Sequence, residues 1–272
     1  MHRLILLLLT LCSGLTLAGA HSSQTPTPKQ ARELMANVCP TGASTGACSV
    51  CPDFVNGGGF GGKMTLEAVT YGKFLNNRDT YALLDLSGCE PHANNYGGGV
   101  LLRWRGLTRW EFVKYFSGLR PYDCQKYPAQ GYPAQGGRET LLCEGGYSNM
   151  GIVDTSLFQV DLLTSRGDTD TSLFVLEDSS EACLSTASVQ RLSSWQRVNL
   201  NGGALPGLRV RLLSGSGKTG RTPETCDDKA PTLPTRAYTL EYTFDGKMFS
   251  PTAATRTVLR QLLKDNASLL NR

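Results

Sequence analysis

The chain has 272 residues, of which 40% are hydrophobic and 18% are charged, and its formal net charge is +4. Its 27 basic residues are scattered among 23 acidic residues, which argues against a nucleic-acid groove because such grooves carry a clustered basic stripe. This length allows one large domain or two small ones, with a core that does not depend on disulfides for its size.

The N-terminal residues have the pattern of an export signal. Arg3 precedes the apolar run Leu4–Leu9, and Ala18-Gly19-Ala20 matches the small-x-small pattern of a cleavage site. No later segment approaches the ~20 apolar residues that a membrane-spanning helix needs. We therefore predict a signal peptide over residues 1–20, a secreted or periplasmic location and no transmembrane segment.

Residues 21–63 are predicted to form an N-terminal leader, a short helix and a loop. Pro28 suits the start of a helix, and Cys39-Pro40 ends it, so we expect the helix over Pro28–Val38. The following stretch to Lys63 is rich in Gly and Cys and buries little surface. Its cysteines are therefore expected to hold it.

The cysteine count indicates disulfides. Without Cys12, which lies in the predicted signal, an even number remains, and an even number in an exported chain favours up to four bonds. Proximity along the chain suggests that Cys124 pairs with Cys143 across a hairpin, and Cys183 with Cys226. The eight candidates are Cys39, Cys48, Cys51, Cys89, Cys124, Cys143, Cys183 and Cys226.

The motif Cys48-Ser49-Val50-Cys51 has two interpretations. As a structural element, one of its cysteines pairs with Cys39 and the other with Cys89. As a redox centre, the two closely spaced thiols would exchange with a substrate. No βαβ pattern surrounds the motif, so the structural interpretation is favoured.

A predicted β domain covers residues 64–249. Tyr81–Leu86, Val100–Trp104 and Trp110–Phe116 are strand-like runs, and Arg105-Gly106-Leu107-Thr108 has the length of a hairpin loop. Asn76-Asn77-Arg78-Asp79 has good turn chemistry because Asn and Asp tolerate left-handed dihedrals. Regular short strands joined by turns indicate an antiparallel meander.

Two internal repeats lie within this domain. Tyr127–Gly131 recurs at once as Tyr132–Gly136, and we interpret the pair as an expanded loop at a hairpin tip. Asp154–Phe158 recurs as Asp170–Phe174, which favours two neighbouring antiparallel strands.

The last part of the chain combines strands, a loop and a helix. Alternation predicts strands over Leu208–Leu212 and Tyr238–Phe244, whereas Leu213–Arg236 is expected to be an exposed loop. Ser250 is a suitable cap for an amphipathic helix over residues 250–272, with Pro251 at its first position.

The predicted fold class is all-β: an antiparallel meander closed as a propeller-like or sandwich domain, with short N- and C-terminal helices. Residues 65–116 resemble a blade of the integrin-like (FG-GAP/VCBS) β-propeller repeats of secreted proteins. The resemblance rests on Gly72-Lys73-Phe74, the turn at Asn76–Asp79, the strand Tyr81–Leu86 and the Trp-bearing hairpin after it. That family's calcium loop uses several aspartates, whereas only Asp79 stands here, so calcium binding does not carry over.

Aromatic residues offer the best candidate for a contact surface, because large flat rings bury much area and Tyr and Trp keep a polar handle. Neighbouring arginines can stack on the rings or take anionic groups. The adjacent loop from Cys89 to Gly99 would complete the surface. The candidate binding residues are Trp104, Trp110, Arg103, Arg105, Arg109 and His92. Further rings that can join a platform for sugars or peptides are Trp195, Tyr96, Tyr115 and Tyr147.

No catalytic residue, cofactor or metal ligand is predicted. His92 is the single histidine in the body of the mature chain, and it lies in a loop without a Gly-x-Ser-x-Gly elbow anywhere in the sequence. A glycosidase needs only two carboxylates, but no spacing marks a pair. The candidates on or beside strands are Asp85, Glu90, Glu111, Glu144, Asp161 and Glu241.

The sequence therefore favours an exported, disulfide-stabilised binding or structural module with a protein or carbohydrate ligand outside the cytoplasm. One alternative is a hydrolase of cell-envelope polymers that uses carboxylates or His92. A second is a thiol-disulfide oxidoreductase that uses Cys48 and Cys51.

Overall fold

In the computed structural model the chain is mostly β, with one helix near each end. The description covers residues 22–39, 43, 46–55, 62–89, 98–107, 109–121, 124–128, 137–164, 171–200, 205–222 and 232–270. The predicted signal peptide therefore lies outside the described residues.

Thirteen strands and two helices are assigned in this part of the chain. In chain order they are α1 (Pro28–Met35), β1 (Ala47–Cys48), β2 (Met64–Gly72), β3 (Tyr81–Ser87), β4 (Gly98–Trp104), β5 (Trp110–Ser117), β6 (Cys124–Pro128), β7 (Glu139–Asn149), β8 (Ile152–Val160), β9 (Thr171–Asp178), β10 (Thr186–Val198), β11 (Gly207–Lys218), β12 (Arg236–Phe244), β13 (Phe249–Pro251) and α2 (Ala253–Leu270).

The strands form three antiparallel meanders. Sheet A has the order β1-β2-β3-β4-β5, sheet B β6-β7-β8-β9 and sheet C β10-β11-β12-β13. Within each sheet, every strand pairs with the strand next to it in the chain, as is usual for short connections. The prediction of a mostly β antiparallel meander is confirmed, whereas closure into a propeller is not shown.

Sheet A is apolar on both faces. In β3 every residue except Ser87 is buried, and consecutive side chains point to opposite faces of the sheet. Leu84 and Leu86 join a core with α1, where Leu34 and Met35 pack. Tyr81 and Leu83 lie in a second core, shared with sheet B.

Sheet B is the middle layer of the fold. Leu141 and Val160 face sheet A in the core that contains Leu83. Leu142 and Leu157 face the other way and pack with Val210 and other residues of sheet C. Because alternate residues of the same strands enter two different cores, the layer is buried on both sides.

The C-terminal helix is anchored to sheet C. The Thr252 hydroxyl accepts a hydrogen bond from the backbone N–H of Thr255 at 3.3 Å, and Leu262 enters the core between sheets B and C. The predicted cap at Ser250 is wrong, because Ser250 lies in β13, where it pairs with Thr243.

The N-terminal segment bridges sheets A and B. Gln24 and Val69 exchange two backbone hydrogen bonds of 2.9 Å. Two residues earlier, the Ser22 hydroxyl accepts a bond of 2.8 Å from the backbone N–H of Lys126 in β6. This short segment is therefore hydrogen-bonded to β2 of sheet A and to β6 of sheet B.

Two predicted loops differ from the structure. β11 continues to Lys218, so the exposed loop expected from Leu213 begins after that residue. Tyr127 and Pro128, the start of the first Tyr-Pro-Ala-Gln-Gly copy, belong to β6, and Tyr127 is fully buried. The second copy lies outside the described residues.

Three disulfides join described cysteines, namely Cys39–Cys48, Cys51–Cys89 and Cys124–Cys143. The predicted hairpin pair is confirmed, and of the two options for Cys39 the one with Cys48 is realised. Cys183 is also disulfide-bonded, while its predicted partner Cys226 lies outside the described residues. No helix within the described ranges is long and apolar enough to span a membrane.

Candidate binding surface

The hairpin of β4 and β5 places two tryptophans opposite each other. Trp104 and Trp110 are cross-strand partners, and their ring centroids are 5.0 Å apart with a T-shaped interplanar angle of 62°. The backbone N–H of Arg105 donates to the carbonyl of Arg109 at 2.9 Å and closes the turn. Leu107 at the tip has a φ of 51° and is 98% exposed.

Further aromatic residues share the face of sheet A on which these tryptophans lie. Phe54 contacts Phe112 and Tyr115 at centroid distances of 5.1 and 5.0 Å, and Tyr71 lies 6.0 Å from Trp110. We call this set the aromatic face. Its members are Phe54, Tyr71, Trp104, Trp110, Phe112 and Tyr115.

A β-bulge in β5 keeps the rings on one side. Leu102 pairs with Phe112 but Leu101 pairs with Lys114, so Val113 is the extra residue. Without the bulge, strict alternation would turn Tyr115 to the opposite face. With it, Tyr115 pairs with Val100 and packs against the core under α1.

The aromatic face is solvent-accessible near the hairpin. Trp104 is 37% exposed and Phe112 is 38% exposed, while Trp110 and Tyr115 are partly buried against the core. Leu107 at the hairpin tip adds a further exposed apolar side chain, so this hairpin of sheet A presents apolar surface to solvent. Regions of this kind on a folded protein typically mark a contact site.

The predicted arginines do not stack on these tryptophans. Arg103 and Glu111 are cross-strand partners on the face opposite Trp104, where Arg103 donates to Glu111 at 2.9 Å. Arg105 donates to the same carboxylate at 2.5 Å, and Asp79 lies 3.9 Å from Arg103. Hydrogen bonds, first from Arg105 and then from Arg103, lower the pKa of Glu111. Arg103 and Arg105 are thus paired with the carboxylates of Glu111 and Asp79.

Other predicted site residues are placed as follows. Arg109 is exposed beside the turn, and His92 lies outside the described residues with the loop 90–97. Trp195 is in β10, packs against the core of sheets B and C, and donates from Nε1 to Glu144 at 3.4 Å. Tyr96 and the side chain of Tyr147 are not among the described parts.

Sequence reasoning missed three members of the aromatic face. Phe112 follows Trp110 by two residues on one strand, so the period of a β-strand was a sufficient signal. Phe54 and Tyr71 are distant along the chain from the hairpin and carry no local signal. Tertiary contacts bring them there.

The Cys-x-x-Cys motif has no internal disulfide. Cys48 bonds to Cys39 and is fully buried, whereas Cys51 bonds to Cys89. A dithiol exchange centre needs the two cysteines of the motif to pair with each other. The observed pairing instead ties the N-terminal loop to the end of β3.

Neither a family model, nor a curated protein, nor a solved structure matches this chain. The resemblance of residues 65–116 to the integrin-like repeats therefore stays a prediction.

Proposed function

We propose that this protein is an exported, disulfide-stabilised binding module that binds an uncharged carbohydrate chain on its aromatic face. The observation that carries the proposal is the half-exposed pair of Trp104 and Trp110, continued across sheet A by Phe112 and Tyr71. The C–H faces of sugar rings are apolar and flat, so they pack on exposed aromatic rings while the hydroxyl groups stay in water.

The charges around the hairpin favour an uncharged ligand. Glu111 engages both Arg103 and Arg105, so neither arginine is left to bind an anionic group without breaking an existing ion pair. The pairs also lie on the face opposite Trp104. A neutral polymer can bind without disturbing these ion pairs, whereas an anionic polymer would compete with Glu111 for the two arginines.

The disulfides support export. Such bonds persist in oxidising compartments and are rare in the cytosol. With three of them between described cysteines, the predicted signal peptide and the placement outside the cytoplasm are consistent with each other.

Tryptophan fluorescence can test the ligand class, because the chain has only three tryptophans. In a Trp195→Phe background all tryptophan emission comes from the aromatic face. Titration with soluble glucan and chitin oligosaccharides, and co-sedimentation with insoluble cellulose, chitin and peptidoglycan, should reveal saturable binding. Trp104→Ala should weaken it about tenfold or more, as expected for a central aromatic anchor.

Leu184→Ala is the matched control, since Leu184 is also an exposed apolar residue, at 44%, but lies outside the aromatic face. It should leave binding unchanged. Equal affinities for the parent and the Trp104→Ala variant would contradict the proposal. Binding of peptides but of no saccharide would assign the face to a protein partner instead.

A further inference from the structure

A concave region lies on sheet B beside β10. Residues of β7, β8, β9 and β10 line a cleft of about 340 Å³, and residues of β7 and β8 line an adjoining one of about 380 Å³. Glu144, Val153 and Thr155 line both. Volumes of this size match those of small-molecule sites.

The walls of the first cleft combine apolar and buried polar side chains. Val153 and Leu192 supply the apolar part, while Asp178 and Gln190 are only 7% and 4% exposed. Arg191 donates to Asp178, as does the backbone N–H of Ser180 at 2.9 Å. Burial acts to raise the pKa of Asp178, but these hydrogen bonds outweigh it and the pKa is lowered. The Asp178 carboxylate is therefore already paired with Arg191.

Glu144 is a different case. Its carboxylate is half-buried, and the Trp195 indole at 3.4 Å is its one hydrogen-bond partner among the described side chains. Asp154 in the second cleft is also partly buried and has no cation within ion-pair distance in the described part of the chain, whereas Glu181 in the first cleft is exposed. A partly buried carboxylate without a counter-charge is costly, and a bound cation would remove that cost.

We propose that this cleft binds a primary alkylamine. The methylene chain would pack on Val153 and Leu192, and the ammonium group would bind the Glu144 carboxylate beside the indole of Trp195. A bare metal ion fits less well, because no group of three or more possible metal ligands is found within the described residues. The site is separate from the aromatic face, so it does not rest on the function proposed above.

Trp195 provides a local reporter. In a Trp104→Phe/Trp110→Phe background it is the single tryptophan left, and titration with 1,5-diaminopentane should change its emission with a saturable curve. Calorimetry on the protein without these tryptophan substitutions should give the same affinity for the diamine. Glu144→Gln keeps the size and an acceptor for the indole but loses the charge, so it should weaken binding about tenfold or more.

Glu33→Gln serves as the control, since Glu33 forms an exposed pair with Lys29 on α1. It should bind the diamine like the parent. An undiminished affinity of Glu144→Gln and of Glu181→Gln would overturn the proposal. So would an equal response to sodium chloride at matched ionic strength, or equal binding of 1-pentanol, which has the stem without the charge.

The natural source of the amine can be separated in the same assay. A terminally blocked Gly-Lys-Gly peptide that binds as well as the diamine would indicate a lysine side chain of another protein. Binding of the diamine alone would indicate a free polyamine. Either result supports the alkylamine chemistry.

Discussion

Arg120 and Asp85 form an ion pair in which the arginine is partly exposed and the aspartate is fully buried. Nε of Arg120 lies 2.9 Å from Oδ1 of Asp85, and the arginine side chain is 42% exposed while the aspartate is 0% exposed. Arg209 and Glu241 make a pair of similar length, 2.8 Å, with an arginine exposed to 41% and a carboxylate exposed to 33%. The two arginines thus differ mainly in the burial of their partner.

Loss of the two arginines should therefore have unequal effects. We expect Arg120→Ala to lower the free energy of unfolding by about 3 kcal/mol, because it weakens the charge compensation of a buried carboxylate. Arg209→Ala should cost less than about 1 kcal/mol, as for an exposed pair. Urea denaturation of both variants measures the difference, and equal costs would contradict it.

The disulfide pattern predicts three crosslinks between described cysteines, in addition to the bond that Cys183 makes. Digestion without reduction and mass spectrometry should identify Cys39–Cys48, Cys51–Cys89 and Cys124–Cys143. A Cys48–Cys51 bond would overturn this assignment and restore the redox hypothesis. Replacing both Cys124 and Cys143 by Ala should lower stability by about 3 kcal/mol, the loop-closure entropy of a segment this long.

The turn between β7 and β8 has an unfavourable residue at its tip. Met150 and Gly151 have φ values of 50° and 79°, and Met150 is 89% exposed. Two left-handed residues are typical of a type I′ turn, in which Asn-Gly is preferred. Met150→Asn should therefore stabilise the fold by about 0.5–1 kcal/mol in thermal or chemical unfolding.

Gly151, the second residue of the same turn, should not tolerate a side chain. A Cβ at this position would lie 2.6 Å from the carbonyl oxygen of Glu181 and 2.8 Å from the backbone nitrogen of Ala182. Gly151→Ala should destabilise the protein by about 2 kcal/mol or more, since the backbone must move. A neutral Gly151→Ala variant would show that the turn differs from this structure.

The tandem repeat can be shortened without loss of its buried tyrosine. Tyr127 donates to the carbonyl of Gly207 at 3.2 Å and packs on Phe244 and Phe249. Deletion of either copy gives the same sequence, which keeps Tyr127. We expect this deletion to change the melting temperature little, whereas Tyr127→Ala should cost about 3–5 kcal/mol.

Alkaline pH should destabilise the fold through two tyrosines. Burial raises the pKa of both Tyr127 and Tyr242. Up to about pH 10 they stay protonated in the folded and unfolded states, whereas above it the unfolded chain ionises first. The free energy of unfolding should then fall by up to ~1.4 kcal/mol per pH unit for each tyrosine. Tyr127→Phe should flatten this slope, and an unchanged slope would contradict the assignment.

Much of the strand order followed from local patterns, but the C-terminal part of β11 did not. Ser214–Lys218 extends β11 although it is polar and rich in Gly, because it pairs with β10. A Cβ at Gly215 would lie 2.0 Å from the carbonyl oxygen of Pro234, so close approach of another segment selects glycine there. Neither cause is visible in hydrophobic alternation.

The candidate surface was predictable as far as the hairpin. Loop length and strand pattern place Trp104 opposite Trp110, and the structure confirms this pairing. The period of two also places Arg103 and Trp104 on opposite faces, so it already argued against the expected stacking of Arg103 on that ring. The bulge at Val113 and the arrival of Phe54 depend on tertiary packing.

The double burial of sheet B has a consequence for how the chain is made. Synthesis proceeds from the N-terminus, so β11 and β12 are among the last strands to appear. Until then the face with Leu142 and Leu157 has no layer to cover it. A partly synthesised chain therefore exposes an apolar face of sheet B. A holdase chaperone that acts at this stage would bind sheet B, in the middle of the chain, rather than either terminus.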